Sequence, residues 1–134
     1  MHNLIPMTVA FDDADGEGIV FFGNYFRLAH RALEQYLPMI GISWPEWFKH
    51  EQWGVPLRKV ECEYLSPLRP GQNFGASIQV ADLTESTVTF QIDFLMKDKT
   101  VAKLKTTHVF IDRKTISKTA IPASIREKLK AQQT

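Results

Sequence analysis

The sequence predicts an α+β fold in which a curved antiparallel five-stranded sheet wraps around one long helix. Three observations carry that reading. A single helix-period stripe begins near Asn24, four period-2 runs follow between Val60 and Ile111, and the connectors between those runs are short and polar. Short connectors join neighbouring strands as antiparallel hairpins, because a parallel crossover needs a dozen residues or more. A sheet must cover its apolar face, and only one helix is long enough to do so.

Each element follows in chain order. Residues 7–12 alternate, with Met7, Val9 and Phe11 against Thr8, Ala10 and Asp12, and suit a short strand. Asp13-Ala14-Asp15-Gly16-Glu17-Gly18 is a turn-rich stretch whose glycines admit positive φ. From Asn24, the residues Tyr25, Leu28, Ala29, Ala32, Leu33, Tyr36 and Ile40 form an apolar stripe, while Arg27, Arg31, Glu34 and Gln35 lie off it. Gly23 or Asn24 is the expected cap, and Pro38 with Gly41 weakens the far end. A short second helix is expected at Pro45–His50, with proline in its first turn. The strands then read as Val60/Cys62/Tyr64, Ala76/Ile78/Val80, Val88 to Met96, and Val101 to Ile111. Pro122 to Thr134 reads as a surface helix or a frayed end. One helical layer leaves sheet edges under-protected, which predicts a homodimer or homotetramer.

Composition narrows the function. The 134 residues make one domain, 1–134, large enough to bury about two thirds of its surface without staples. A net charge of +1 with 23% charged residues lacks the footprint of a nucleic-acid binder, and 44% hydrophobic content rules out disorder. Cys62 is the only cysteine, so an intramolecular disulfide and a multi-thiolate zinc site are both excluded. In register with Val60 and Tyr64, it reads as a buried, inert thiol. Met1 to Pro6 shows no basic stretch before an apolar run, and no run approaches a membrane span, so a cytoplasmic protein without membrane association is expected.

Common catalytic motifs are missing. Gly41-Ile42-Ser43-Trp44-Pro45 lacks the last glycine of a nucleophile elbow, and Phe21 stands where a dinucleotide fingerprint begun at Gly16 needs its third glycine. His2, His30, His50 and His108 are too scattered for metal-ligand spacing. What remains is Asp12 to Tyr25. Its aspartates serve either as turn residues or as chemistry. In the second reading, a carboxylate stands just before a helix whose first N–H groups lack internal partners. Those amides polarise a carbonyl oxygen while the carboxylate acts on the adjoining carbon, the minimum equipment for acyl transfer.

These residues carry a resemblance. Asp15-Gly16-Glu17-Gly18-Ile19-Val20-Phe21-Phe22-Gly23-Asn24-Tyr25 resembles the Asp-x-x-Gly-apolar-Val-x-aromatic-x-Asn-Tyr signature of hotdog-fold acyl-CoA thioesterases of the 4-hydroxybenzoyl-CoA thioesterase type. Gly54-Val55-Pro56-Leu57 followed by alternating strands also fits that family's order. The resemblance implies the hotdog fold and hydrolysis of a CoA thioester of an aromatic or medium-chain acid. It implies Asp15 as the catalytic carboxylate and the backbone N–H groups near Phe22 and Gly23 as the oxyanion hole. A histidine usual in the short-chain, acyl-carrier-linked subfamily is replaced by Phe22, which favours the aromatic-acyl type. Leu28 to Glu34 partly resembles a stretch of the 1,4-dihydroxy-2-naphthoyl-CoA hydrolases, with His30 matching and Arg31 replacing the acid.

The resemblance also implies an acyl pocket at Tyr25, His30, Trp47, Val55, Pro56 and Leu57. As residue types alone, His30 suits a helix surface, and Trp44, Trp47 and Trp53 suit packing of the second helix over the sheet. Among Arg58, Lys59, Arg69, Arg113, Lys114 and Lys118, the cluster Arg113, Lys114 and Lys118 is the preferred match for the coenzyme A phosphates. No cofactor or metal is implied, coenzyme A being part of the substrate. Two other functions stay open: a hotdog-fold 3-hydroxyacyl-thioester dehydratase or hydratase, and a non-catalytic acyl-CoA-binding subunit.

Overall fold

The computed structural model describes residues 4–133.

 

The elements run β1 (Ile5–Thr8), a 3-10 turn (Phe11–Asp13), α1 (Asn24–Met39), α2 (Trp44–Phe48), β2 (Trp53–Gly54), β3 (Leu57–Tyr64), β4 (Asn73–Leu83), β5 (Thr87–Met96), β6 (Lys99–Val109), β7 (Ile111–Asp112), β8 (Ser117–Lys118) and α3 (Ala123–Lys130). The main sheet has the order β1-β4-β5-β6-β3, every pairing antiparallel. The expected five-stranded antiparallel sheet is therefore present.

The core lies between α1 and one face of that sheet. Tyr25, Leu28, Ala29, Ala32, Leu33, Tyr36 and Leu37 are the buried face of α1, the spacing of three and four that one helical side requires. Opposite stand Val88, Phe90, Ile92 and Phe94 of β5, all fully buried, because alternate residues of a strand share a face. Ala29 and Ala32 present little bulk to the sheet, and burial of each large side chain contributes about 1.5–3 kcal/mol.

Four expectations need correction. The first strand covers Ile5–Thr8 rather than 7–12, since Phe11–Asp13 turns to bring Asp13 inside. The second helix starts at Trp44, one residue before Pro45, because Ser43 caps it in a reciprocal box with Glu46. Strand β3 is an edge whose residues are mostly exposed, so Cys62 is half-buried rather than buried, although burial still pushes its thiol pKa up. The tail is a helix, yet Ile125 and Leu129 are buried, so it packs on the domain instead of fraying. The small sheet β2-β7-β8 lay beyond sequence reading, its strands being two residues each.

Lys97 and Asp98 join β5 to β6 with φ of 52° and 64°, the left-handed region that a two-residue hairpin of type I′ requires. Glycine enters that region without Cβ strain. Asp98→Gly should stabilise the protein by about 0.5–1 kcal/mol in urea unfolding; an unchanged or lower midpoint would contradict this account of the turn.

Candidate active site

The segment between β1 and α1 is built around Asp13, which is fully buried. Its Oδ2 accepts the Ala10 N–H at 2.9 Å, and its Oδ1 accepts from Arg27 of α1 at 2.7 Å. Arg31, one turn further along, lies 3.8 Å away. The Asp13 carbonyl accepts the Phe21 N–H at 3.1 Å and the Asn24 side-chain amide at 2.9 Å. One residue thus ties both ends of the loop to the start of the helix. Burial alone would raise its pKa, but the Arg27 bond, the Ala10 N–H and the Arg31 charge outweigh it and hold the carboxyl below its ordinary value.

Two residues on, Asp15 stands at the neck of a tight loop. Its N–H donates to the Ile19 carbonyl at 2.8 Å, its carbonyl accepts from Gly18 at 3.1 Å, and Ala14 bridges to Val20. Gly18 has φ of +77°, which the closure of this loop needs. The Glu17 N–H donates to Asp15 Oδ1 at 2.8 Å, fixing the carboxylate, while Oδ2 has no partner among the described residues. Neither the Phe22 N–H nor the Gly23 N–H has an acceptor among the described residues, and Gly23 is the N-cap of α1.

Asp15, Phe22 and Tyr25 line one cleft of about 320 Å³ together with Tyr64 and the following Leu65-Ser66-Pro67. Its aromatic walls meet edge to face, Tyr25 and Tyr64 at 4.8 Å between centroids and Phe22 and Tyr64 at 6.4 Å. A carboxylate and an aromatic lining therefore share one opening, with the unpaired Phe22 and Gly23 amides in the adjoining backbone at the start of α1.

The other expected residues lie elsewhere. His30 and Leu57 line a smaller cavity of about 40 Å³ with Phe26, Leu33, Thr106 and His108. Burial pushes the His108 pKa down to about 4, with His30 adding to the effect. Trp47 is buried in the core among Phe90, His108 and Phe110. Val55 and Pro56 line neither cavity. Arg113 Nε donates to the carbonyls of His50 and Trp53, clipping that loop to the small sheet, while Lys114 and Lys118 are exposed beside it. None of the three lines the Asp15 cleft.

Sequence reading missed Asp13 and Tyr64. Arg27 and Arg31 were a signal for the first, two cations one turn apart with a single face to share. Tyr64 gave none, since it alternates with Val60 and Cys62 like a core residue.

A model of the thioesterase-like superfamily matches residues 9–129. The chain belongs to that superfamily. It is 28% identical over 127 residues to a 1,4-dihydroxy-2-naphthoyl-CoA hydrolase of Rippkaea orientalis, covering 92% of each chain. A hydrolase of the same name from Crocosphaera subtropica is 26% identical over 129 residues, covering 94% of each. The solved 1,4-dihydroxy-2-naphthoyl-CoA thioesterase from Synechocystis superposes with a TM-score of 0.86 at 18% identity, over 94% of this chain and 93% of that one. The expected hotdog fold and the expected class, thioester hydrolase, both stand. No helix among the described residues is long and apolar enough to cross a membrane.

Asp13→Asn leaves the half-exposed Arg27 facing a neutral partner and should cost about 1.5–3 kcal/mol, the range for a hydrogen bond to a charged group. With a folded pKa below the unfolded value of about 3.9, Asp13 contributes fully above that value and loses its contribution as pH falls through the folded one. Urea unfolding at pH 7 and pH 3 checks both points: the variant should lose less stability on acidification than the parent.

Proposed function

We propose that this chain hydrolyses aromatic acyl-CoA thioesters to the free acid and coenzyme A at the cleft holding Asp15. The observation that carries the reading is that the Asp15 carboxylate shares its cleft with Phe22, at the helix start where the N–H groups of Phe22 and Gly23 are unpaired. The amides take the thioester oxygen as negative charge develops there. Asp15 acts on the carbonyl carbon, as nucleophile or by taking a proton from the attacking water, and the coenzyme A thiolate leaves. Phe22, Tyr25 and Tyr64 offer flat apolar walls to an aromatic acyl group, in keeping with the names of the relatives.

The dehydratase reading asks for a histidine paired with an acid beside the reacting carbon. His30 lies 3.8 Å from Glu34, but it faces the smaller cavity and not the Asp15 cleft. Lys114 and Lys118 remain the proposed contacts for the coenzyme A phosphates, with Arg113 held partly by backbone carbonyls. A homo-oligomer is proposed on the exposed Leu57, Tyr64 and Leu65 along and just beyond the β3 edge.

Thiol release from benzoyl, phenylacetyl, hydroxynaphthoyl and fatty acyl-CoAs tests the proposal, with the aromatic thioesters expected to turn over fastest. Asp15→Asn should lower kcat by about 10²–10⁴ without changing the unfolding midpoint. Near-native turnover by that variant would remove Asp15 from the mechanism, and no thiol release from any thioester would leave a binding subunit.

A further inference from the structure

Tyr64 reaches the start of α1 from the far side of the cleft. Its hydroxyl donates to the Phe22 carbonyl at 2.8 Å, a contact 42 residues apart in sequence. That carbonyl also accepts the Tyr25 N–H at 3.3 Å. The Phe22–Gly23 peptide is trans, so its C=O and N–H point in opposite directions across one rigid plane. Whatever grips the carbonyl therefore sets the direction of the Gly23 N–H. A donor on the carbonyl oxygen also draws charge through the amide and strengthens the N–H as a donor.

We infer that Tyr64 is a positioning residue for thioester hydrolysis, its hydroxyl orienting and polarising the Phe22–Gly23 peptide so that the Gly23 N–H meets the developing oxyanion. The inference rests on the reading of the Asp15 cleft as the thioesterase site. Burial, with Cys62 and Tyr25 nearby, pushes the Tyr64 hydroxyl up to about 12, so it remains a donor through the neutral range. The edge-to-face contacts with Phe22 and Tyr25 hold the ring in place independently of the hydroxyl. Removing the oxygen thus separates polarisation from packing.

The test is Tyr64→Phe, assayed on the fastest aromatic thioester of the panel alongside Asp15→Asn. Because the ring is retained at a partly exposed position, the variant should unfold at the parent's midpoint. Its kcat should fall about tenfold while KM changes by less than about twofold, the pattern of an interaction made in the transition state. A second readout is the infrared carbonyl stretch of a bound ketone analogue with CH₂ in place of the thioester sulfur, which should lie closer to its free value in the variant. Unchanged kcat and stretch, or a raised KM alone, would overturn the inference while Asp15 keeps its role. A parent enzyme without thioester turnover would overturn both.

Discussion

The ion pair between buried Asp13 and Arg27 constrains everything that surrounds the cleft. A carboxylate removed from water needs charge and hydrogen bonds around it, and here they come from α1 and from the backbone of its own loop. Because both oxygens are engaged, the loop has one way to sit on the helix. Asp15, Phe22 and Gly23 inherit their positions from that arrangement. A charge pair of this kind adds little net stability over an apolar substitute, but it specifies one geometry, which a site for chemistry requires.

The two acids of this loop divide the work through their surroundings. Asp13 is enclosed and paired, so its lone pairs are spent on structure. Asp15 is exposed at the cleft and bonded through one oxygen alone among the described residues, which leaves the other free to act. The Phe22 and Gly23 amides are free because they lie ahead of the first helical turn, where no carbonyl a turn earlier accepts them. Unsatisfied donors are a cost to the resting fold and a resource to a reaction that generates an oxyanion.

Periodicity by itself determined the helix from Asn24, the strands β4, β5 and β6, and their antiparallel order, because each is a local pattern repeated over ten or more residues. The motif from Asp15 to Tyr25 marked the cleft for the same reason, its residues being contiguous. Tertiary structure decided the rest. Period two places Tyr64 and Val60 on one face but does not say that β3 is an edge, where that face opens to a cleft instead of a core. The family resemblance implies Trp47 as a pocket wall and Arg113 as a phosphate ligand, while their surroundings make one a core residue and the other a clip on backbone carbonyls. Asp13 and Asp15 are the same side chain two positions apart, and only the approach of Arg27 from the helix distinguishes the acid that holds the loop from the acid left open to the cleft.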